Sequence, residues 1–209
     1  MSLTFNEERH EYVFDGTRVP SVTQIIAAAG LSDYSHIPAA VLEKARQEGT
    51  AMHRLIEYDI AGDLDEDSLP EWLKPRLAAW RKFQAETGFV PDSSEKLIYH
   101  KMYEYAGTAD MFGTASKLPK LKGRGVLDLK RSFAAGAAIA LQLAGYQAAE
   151  NSTLLKEGGG GREMMVQWRA ALRLLDDGTY RFQTFEDGDA FTCFVACLTV
   201  QRWKENNSK

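Results

Sequence analysis

The sequence predicts an α/β fold in which a central mixed β-sheet is flanked by helices. Three observations favour this class: helical patterns dominate the first ninety residues, β-prone runs follow between residues 96 and 129, and an alanine-rich segment then returns to helix. The chain has 209 residues, 44% of them hydrophobic, which suits one domain with a sizeable core. We expect a mainly helical part (1–90), core strands and a helix (91–157), and a closing hairpin and helix (158–209).

The first elements are predicted to be small strands and a short helix. Residues 3–19 contain β-type runs broken by turn-forming pairs, and therefore indicate strands joined by tight turns. Ser21 with Gln24 three positions later is typical of a capping box at a helix start. Gly30 is placed to end that helix.

Two longer helices are predicted next, one over residues 39–60 and one over residues 71–87. Gly62 is placed to end the first of them. Pro70 stands at the expected start of the second, and Gly88 at its end.

The strands of the main sheet are predicted from three β-prone runs, at residues 96–100, 106–112 and 125–129. A long helix is expected at residues 134–156, because alanine and leucine dominate there, and the glycine run that follows at 158–161 indicates a flexible connection.

A hairpin and a final helix are predicted to complete the chain. Residues 164–174 and 180–185 flank Asp176-Asp177-Gly178, which is a strong hairpin signal. Asp187 is a candidate cap for a helix that reaches Trp203.

Bulk properties exclude several classes. We see no signal peptide and no apolar run of membrane-spanning length, so we expect a cytoplasmic protein without a membrane partner. Cys193 and Cys197, four positions apart in one predicted helix, suit neither a disulfide framework nor a closed metal site and are expected to be buried. No H-E-x-x-H run or paired histidines support a zinc hydrolase. A net charge of −4 argues against a protein that coats nucleic acid through bulk attraction.

A local basic segment between residues 117 and 131 favours a phosphate-bearing partner. Asp128 is its only acid, and a solvated loop that carries lysines for solubility is the alternative interpretation. Its six basic residues are Lys117, Lys120, Lys122, Arg124, Lys130 and Arg131.

Two aspartates and a lysine are the candidate chemical groups. Asp128 and Lys130 project from one face of a predicted strand, because side chains alternate along a strand. Asp110 stands in an otherwise apolar strand, where an unpaired charge is costly. If the strands are neighbours, the two carboxylates can converge on a hard cation such as Mg²⁺. Capping of loops is the structural alternative.

Two helical pairs accompany these groups. Gln142 and Tyr146 are four residues apart and share a helix face, as do His53 and Glu57. Each pair is also compatible with an ordinary structural role, as a polar edge above a packed aromatic ring or a satisfied histidine.

Taken in order, these motifs resemble the PD-(D/E)XK nuclease superfamily, specifically its RecB-like, phage-type exonuclease branch. Residues 49–53 (GTAMH) look like the branch's helical histidine motif, 107–110 (GTAD) like its first acidic motif, 128–130 (DLK) like D-x-K and 142–146 (QLAGY) like Q-x-x-x-Y. The opening VPSVTQI at 19–25 also resembles phage members. The proline that usually precedes the first acid is absent, as are the cysteines of iron–sulfur-bearing relatives.

The resemblance implies a restriction-endonuclease-like core with an N-terminal helical elaboration, and divalent Mg²⁺ or Mn²⁺ without an iron–sulfur cluster. It implies that His53, Asp110, Asp128 and the Leu129 carbonyl hold metal, and that Lys130 orients or activates the attacking water. Gln142 and Tyr146 are expected to contact DNA, together with Lys122, Arg124 and Arg131 of the basic segment. Glu95, taken to open the first strand of the sheet, and Glu57 are accessory acids.

The leading functional hypothesis is a metal-dependent DNA exonuclease that acts on linear duplex or single-stranded ends in phage or bacterial recombination or repair. A recombination partner protein and a homo-oligomer are compatible with it. Two alternatives stay open: a catalytically weak DNA-binding or assembly module on a nuclease scaffold, and a structure-selective endonuclease.

Overall fold

The chain begins with a three-stranded antiparallel meander. The computed structural model describes residues 2–32, 37–133, 136–157 and 161–207. The meander consists of β1 (Leu3–Asn6), β2 (Glu11–Phe14) and β3 (Thr17–Val19), in that spatial order. The turn-separated β-type runs predicted at residues 3–19 are therefore confirmed as three strands.

Helix α1 (Val22–Ala28) starts at the predicted capping box. The Ser21 hydroxyl accepts the Gln24 N–H at 3.1 Å, and the Gln24 side chain accepts the Ser21 N–H at 3.0 Å. Gly30 follows the helix with a φ of +76°, a left-handed conformation that suits glycine.

Helices α2 (Ala39–Ala61) and α3 (Lys74–Thr87) form the rest of the N-terminal part. Both end at the predicted glycines, Gly62 and Gly88, which adopt φ values of +74° and +64°. The predicted start of α3 at residue 71 is wrong: the helix begins at Lys74, because Pro75 in its first turn is the proline preorganised for a helix start.

Five strands form the mixed sheet that carries the candidate site, in the order β4-β5-β6-β7-β8. Only β6 and β7 pair in parallel among them, while the other neighbours are antiparallel. The predicted mixed α/β architecture is thus confirmed. The strands are β4 (Phe89–His100), β5 (Tyr105–Ala115), β6 (Arg124–Leu129), β7 (Val166–Leu174) and β8 (Tyr180–Thr184).

The two remaining long helices lie at the C-terminal side of the chain. α4 (Gly136–Glu157) links β6 to β7, and α5 (Ala190–Asn207) closes the fold, with a short 3₁₀ helix at Arg162–Met164. Residues 134, 135 and most of the predicted glycine connection lie outside the described residues. Gly178 confirms the predicted hairpin turn with a φ of +77°.

Two details of α5 differ from expectation. Asp187 does not cap the helix, because its carboxylate accepts the N–H of Asp189, which precedes the first helical residue. Cys193 is exposed and Cys197 half-buried, since the buried face of α5 runs through Ala190, Phe194 and Leu198 instead.

Two apolar layers hold the sheet, one on each face. Helices α1, α4 and α5 cover one face, where Val126 of β6 is buried. Helices α2 and α3 cover the other face, where Leu127 and Leu129 are buried. Because neighbouring residues of β6 alternate between these layers, Asp128 projects toward the side covered by α4. None of the described helices combines the length and apolarity needed to cross a membrane.

Candidate metal centre

Asp110 lies in strand β5, at the point where the pairing of β5 with β6 ends. The β5–β6 ladder stops at the pair Met111↔Leu127, one step before Asp110 would face Asp128. The Asp110 Oδ2 atom instead accepts the backbone N–H of Leu129 at 2.6 Å. The carboxylate therefore replaces a strand-to-strand hydrogen bond, and the strands fix its position.

His53 and Glu95 join Asp110 in a compact group. His53 Nδ1, on α2, lies 3.2 Å from Glu95 Oε1 and 3.7 Å from Asp110 Oδ1. One ligand atom from each of these three residues lies within 4.8 Å of the others, which is the arrangement that a single cation requires. Three elements, α2, β4 and β5, thus meet at this point.

Glu95 reaches this group through an unusual backbone conformation. It has a φ of +46° in the interior of β4, between the pairs Ser94↔Met111 and Lys96↔Ala109. A non-glycine residue in this region costs about 1–3 kcal/mol, and such residues concentrate at functional sites. The expectation that Glu95 opens a strand is wrong, because β4 already begins at Phe89 and pairs there with β5.

Asp128 lies beside Lys130, on the strand face that the D-x-K spacing predicted they share, and is fully buried. Its Oδ2 atom lies 2.5 Å from Lys130 Nζ and makes no hydrogen bond of regular geometry with the described residues. Burial raises the pKa of Asp128 to about 6, against the opposing influence of the Lys130 ammonium. A buried carboxylate oxygen of this kind can still accept a cation.

Gln142 and Tyr146 support Asp128 from helix α4. Gln142 Nε2 donates to Asp128 Oδ1 at 3.2 Å and to the Tyr146 hydroxyl at 2.9 Å. The Tyr146 ring is buried against Gly107, where an added Cβ would lie 2.9 Å from the ring. Tyr146 also lines the cleft that contains His53 and Glu95, and its contact with DNA stays a prediction.

The donors present fit a hard divalent cation such as Mg²⁺ or Mn²⁺. Three carboxylates and one imidazole face a single ammonium, so negative charge is in excess. The neighbouring Asp110 is the main reason why the pKa of His53 is raised to about 9, which shows how strongly the group attracts a positive charge. Oxygen ligands with one imidazole suit these cations.

The basic segment contributes less to this centre than its charge suggested. Arg124 is buried and forms ion pairs with Asp92 at 2.7 Å and with Glu150 at 2.7 Å. The structure therefore does not support the expected phosphate contact of Arg124. Lys122 precedes β6, at the end of the strand opposite to Asp128.

Arg131 and Glu57 remain near the centre. Arg131 follows Lys130, is 47% exposed, and its guanidinium lies 3.0 Å from Glu48 of α2. Glu57 is exposed one turn after His53 and borders the same cleft of about 800 Å³ as His53 and Glu95.

Arg54 and Tyr12 also border this cleft, and sequence reasoning missed both. Arg54 could have been predicted, because it is adjacent to the candidate ligand His53 in the sequence. Tyr12 could not be predicted in this way, because it is far from His53 in the sequence.

Together, the fold and the site define a mixed α/β protein with an acidic, histidine-containing centre where the pairing of β5 with β6 ends. No family model matches the sequence, and no curated protein matches it. Among solved structures, the chain is similar to LHK-Exo in complex with dAMP, with 12% identity and a TM-score of 0.41 over 91% of this chain and 89% of that one. It is also similar to an alkaline exonuclease (LHK-Exo) from Laribacter hongkongensis, with 15% identity and a TM-score of 0.39 over 90% and 88%. Likeness at this level carries no functional argument, so the function rests on the site.

Proposed function

We propose that this chain is a metal-dependent nuclease that hydrolyses DNA phosphodiester bonds and acts as an exonuclease on DNA ends. One observation carries the proposal: His53, Glu95 and Asp110 place ligand atoms within 4.8 Å of one another. Asp110 also accepts the backbone N–H of Leu129, the residue between Asp128 and Lys130. An acidic pocket beside a lysine is suited to the hydrolysis of a phosphodiester.

The ligand residues have distinct tasks in this proposal. His53, Glu95 and Asp110 hold Mg²⁺ or Mn²⁺, with Asp128 and the Leu129 carbonyl as further ligands. When bound, the cation supplies Lewis acidity, a lowered pKa for bound water and stabilisation of charge on the phosphoryl oxygens. Asp110 is fixed by Leu129, and Asp128 by Gln142, so these carboxylates need little rearrangement on binding.

Lys130 has the role of positioning the attacking water and of stabilising negative charge near it. Its ammonium lies beside the Asp128 carboxylate and 24% of the side chain is exposed, so it is fixed at one end of the site and open to a substrate at the other. Loss of the ammonium should lower turnover more than metal affinity, because Lys130 is not a ligand.

Local rather than overall charge must attract the DNA. The net charge is −4, so the cation itself and exposed arginines such as Arg131 supply the attraction for phosphate. A cytoplasmic bacterial or phage setting, in recombination or repair, is part of this proposal.

Digestion of labelled DNA tests the proposal. Purified protein with Mg²⁺ or Mn²⁺ should shorten end-labelled linear duplex and single-stranded DNA, and EDTA should stop the reaction. Supercoiled circular DNA should stay intact, and nicking of the circle would show an endonuclease instead.

Two variants prepared in parallel make the digestion assay specific. Asp110→Asn should lose at least about a hundredfold in rate, since metal-centred stabilisation supplies several kcal/mol. Asp67→Asn is the matched control, because Asp67 is exposed in a loop away from the centre. If Asp110→Asn and wild type digest DNA equally, or neither digests it, the proposed function is wrong.

A further inference from the structure

Three aromatic rings border the cleft that contains the candidate metal centre. The Phe5 and Tyr12 rings stack with centroids 4.5 Å apart, and His10 meets the Phe5 ring edge-on at 5.4 Å. These residues belong to the N-terminal meander and line the same cleft of about 800 Å³ as His53 and Glu95. His10 is exposed and Phe5 half-buried, so part of this aromatic platform faces the cleft.

The platform is attached firmly to the strand that carries Asp110. The Tyr12 hydroxyl lies 2.8 Å from the hydroxyl of Thr108, two residues before Asp110. The Gln24 side chain donates to the His10 carbonyl at 3.2 Å, and His10 has a φ of +49°. The rings are therefore held in a fixed position relative to the acids, as a binding surface requires.

An exposed arginine lines the same cleft as these rings. Arg54 follows His53 on α2, is exposed, and its guanidinium makes no hydrogen bond or ion pair with the residues that the structure describes. Thr50, one turn earlier and also exposed, lines the cleft with it. A guanidinium and a hydroxyl on one helix face form a donor set for a phosphate.

An acidic surface limits how far a phosphate backbone can continue past Arg54. Arg54, Thr50, His10 and Glu7 also line a second cleft of about 1030 Å³ on the other side. That second cleft carries five acids but only two arginines, which repels a polyanion. Its acids are Glu7, Glu8, Glu43, Asp63 and Asp65, and its arginines are Arg46 and Arg54.

We propose that Phe5, His10 and Arg54 bind the unpaired terminal nucleotide of a DNA strand, with its base stacked on the aromatic platform and its phosphate on Arg54. This inference rests on the proposed function and extends it to recognition of a strand end. Base stacking on aromatic side chains is tolerant of sequence, so the site recognises an end rather than a base.

Binding of short single-stranded oligonucleotides tests this site. Fluorescence anisotropy in Ca²⁺ buffer compares an internally labelled oligonucleotide with a second one that differs only in abasic terminal residues at both ends. Wild type should bind the intact ends about tenfold more tightly than the abasic ends, which is the scale of one stacked base. His10→Asn, which tolerates a positive φ, and Phe5→Leu, which keeps an apolar contact with Tyr12, should each bring that ratio close to one.

The arginine is tested with the same two oligonucleotides. Arg54→Ala should weaken the binding of both oligonucleotides by a similar factor and reduce the salt dependence of binding. Arg181→Ala, on the exposed face of β8, is the matched control and should bind as wild type does. The variants should keep the wild-type circular dichroism spectrum and thermal midpoint.

The outcomes separate this inference from the proposed function. A protein that digests DNA but binds intact and abasic ends equally, or whose His10 and Phe5 variants keep the wild-type ratio, overturns the end-binding site and leaves the nuclease proposal standing. Unchanged binding by Arg54→Ala overturns the phosphate contact. A protein that shows the predicted ratio without digestion supports the end-binding site and contradicts the nuclease proposal.

Discussion

The Asp110 carboxylate accepts the backbone N–H of Leu129 at 2.6 Å, across two strands whose own pairing ends one residue earlier. The Oδ2 atom of Asp110 thereby links β5 to β6, while its Oδ1 atom lies 3.7 Å from Nδ1 of His53. The Asp110 side chain thus takes part both in the contact between the strands and in the candidate metal centre. Different substitutions of Asp110 should therefore change the stability of the protein and its metal-dependent activity by different amounts.

Asp110→Ala should be less stable than Asp110→Asn by about 1–3 kcal/mol in urea unfolding. Alanine leaves the buried Leu129 N–H without an acceptor, which costs about that amount, whereas the asparagine carbonyl can still accept it. Both variants should lose metal-dependent digestion. Equal stability of the two variants would show that the Asp110–Leu129 hydrogen bond contributes nothing to the fold.

Gly107 should tolerate alanine poorly. A Cβ there would lie 2.9 Å from the Tyr146 ring, which is held by Gln142, so Gly107→Ala should destabilise the protein by about 1–3 kcal/mol through overpacking. Gly49 is the matched control, because it lies in α2 with nothing within 4 Å of its added Cβ. Gly49→Ala should stabilise the protein by about 0.5–1 kcal/mol through helix propensity. Chemical denaturation measures the stability of both variants. A Gly107→Ala variant as stable as wild type would contradict the close packing.

Gln142→Ala should lower kcat more than it changes KM for DNA. Its side-chain amide is the hydrogen-bond donor to Asp128 Oδ1, so its loss leaves that carboxylate less well oriented without removing a ligand. Tyr146→Phe is the milder comparison, because it keeps the buried ring and removes only the hydroxyl, for an expected cost of about 0.5–1.5 kcal/mol in stability. A large rise in KM with unchanged kcat for Gln142→Ala would indicate direct DNA contact instead.

The contribution of His100 to protein stability should fall as the pH is lowered through about 6.5. Burial among Tyr105 and Phe191 lowers the pKa of His100 below its ordinary value. The unfolded chain therefore binds a proton there more readily than the folded chain, and acid favours unfolding. Urea unfolding of both proteins at about pH 7.5 and about pH 5.5 measures this contribution: the stability of His100→Phe relative to wild type should be higher at the lower pH. The same stability difference between the two proteins at both pH values would contradict this role of His100.

Local signals in the sequence predicted most helix boundaries correctly. The Ser21–Gln24 capping box and the glycines at 62 and 88 depend on neighbouring residues alone, so a single sequence contains what is needed. Strand β4 shows the limit of such signals. Pro91 is a poor strand former, yet it lies in β4, because β4 is the edge strand of the sheet and has a bulge between Pro91 and Ser93. Only the tertiary structure shows that this strand is at the edge.

The candidate site could be predicted in its residue types but not in its detailed contacts. Strand alternation and burial cost predict Asp110, Asp128 and Lys130, and the structure places all three where the pairing of β5 with β6 ends. Charge counting failed for Arg124, because a sequence does not show that Asp92 and Glu150 approach it inside the fold. The interior position and positive φ of Glu95 likewise have no local sequence signal.

Titration of Mn²⁺ into metal-free protein, followed by isothermal calorimetry, tests the metal centre most directly. Wild type should bind Mn²⁺ saturably, and Mg²⁺ should displace the bound Mn²⁺. Asp110→Asn should bind Mn²⁺ at least about tenfold more weakly, because one carboxylate ligand is lost. The Asp67→Asn control should titrate as wild type does. Equal Mn²⁺ affinity of wild type and Asp110→Asn, or no binding by either, would contradict the account.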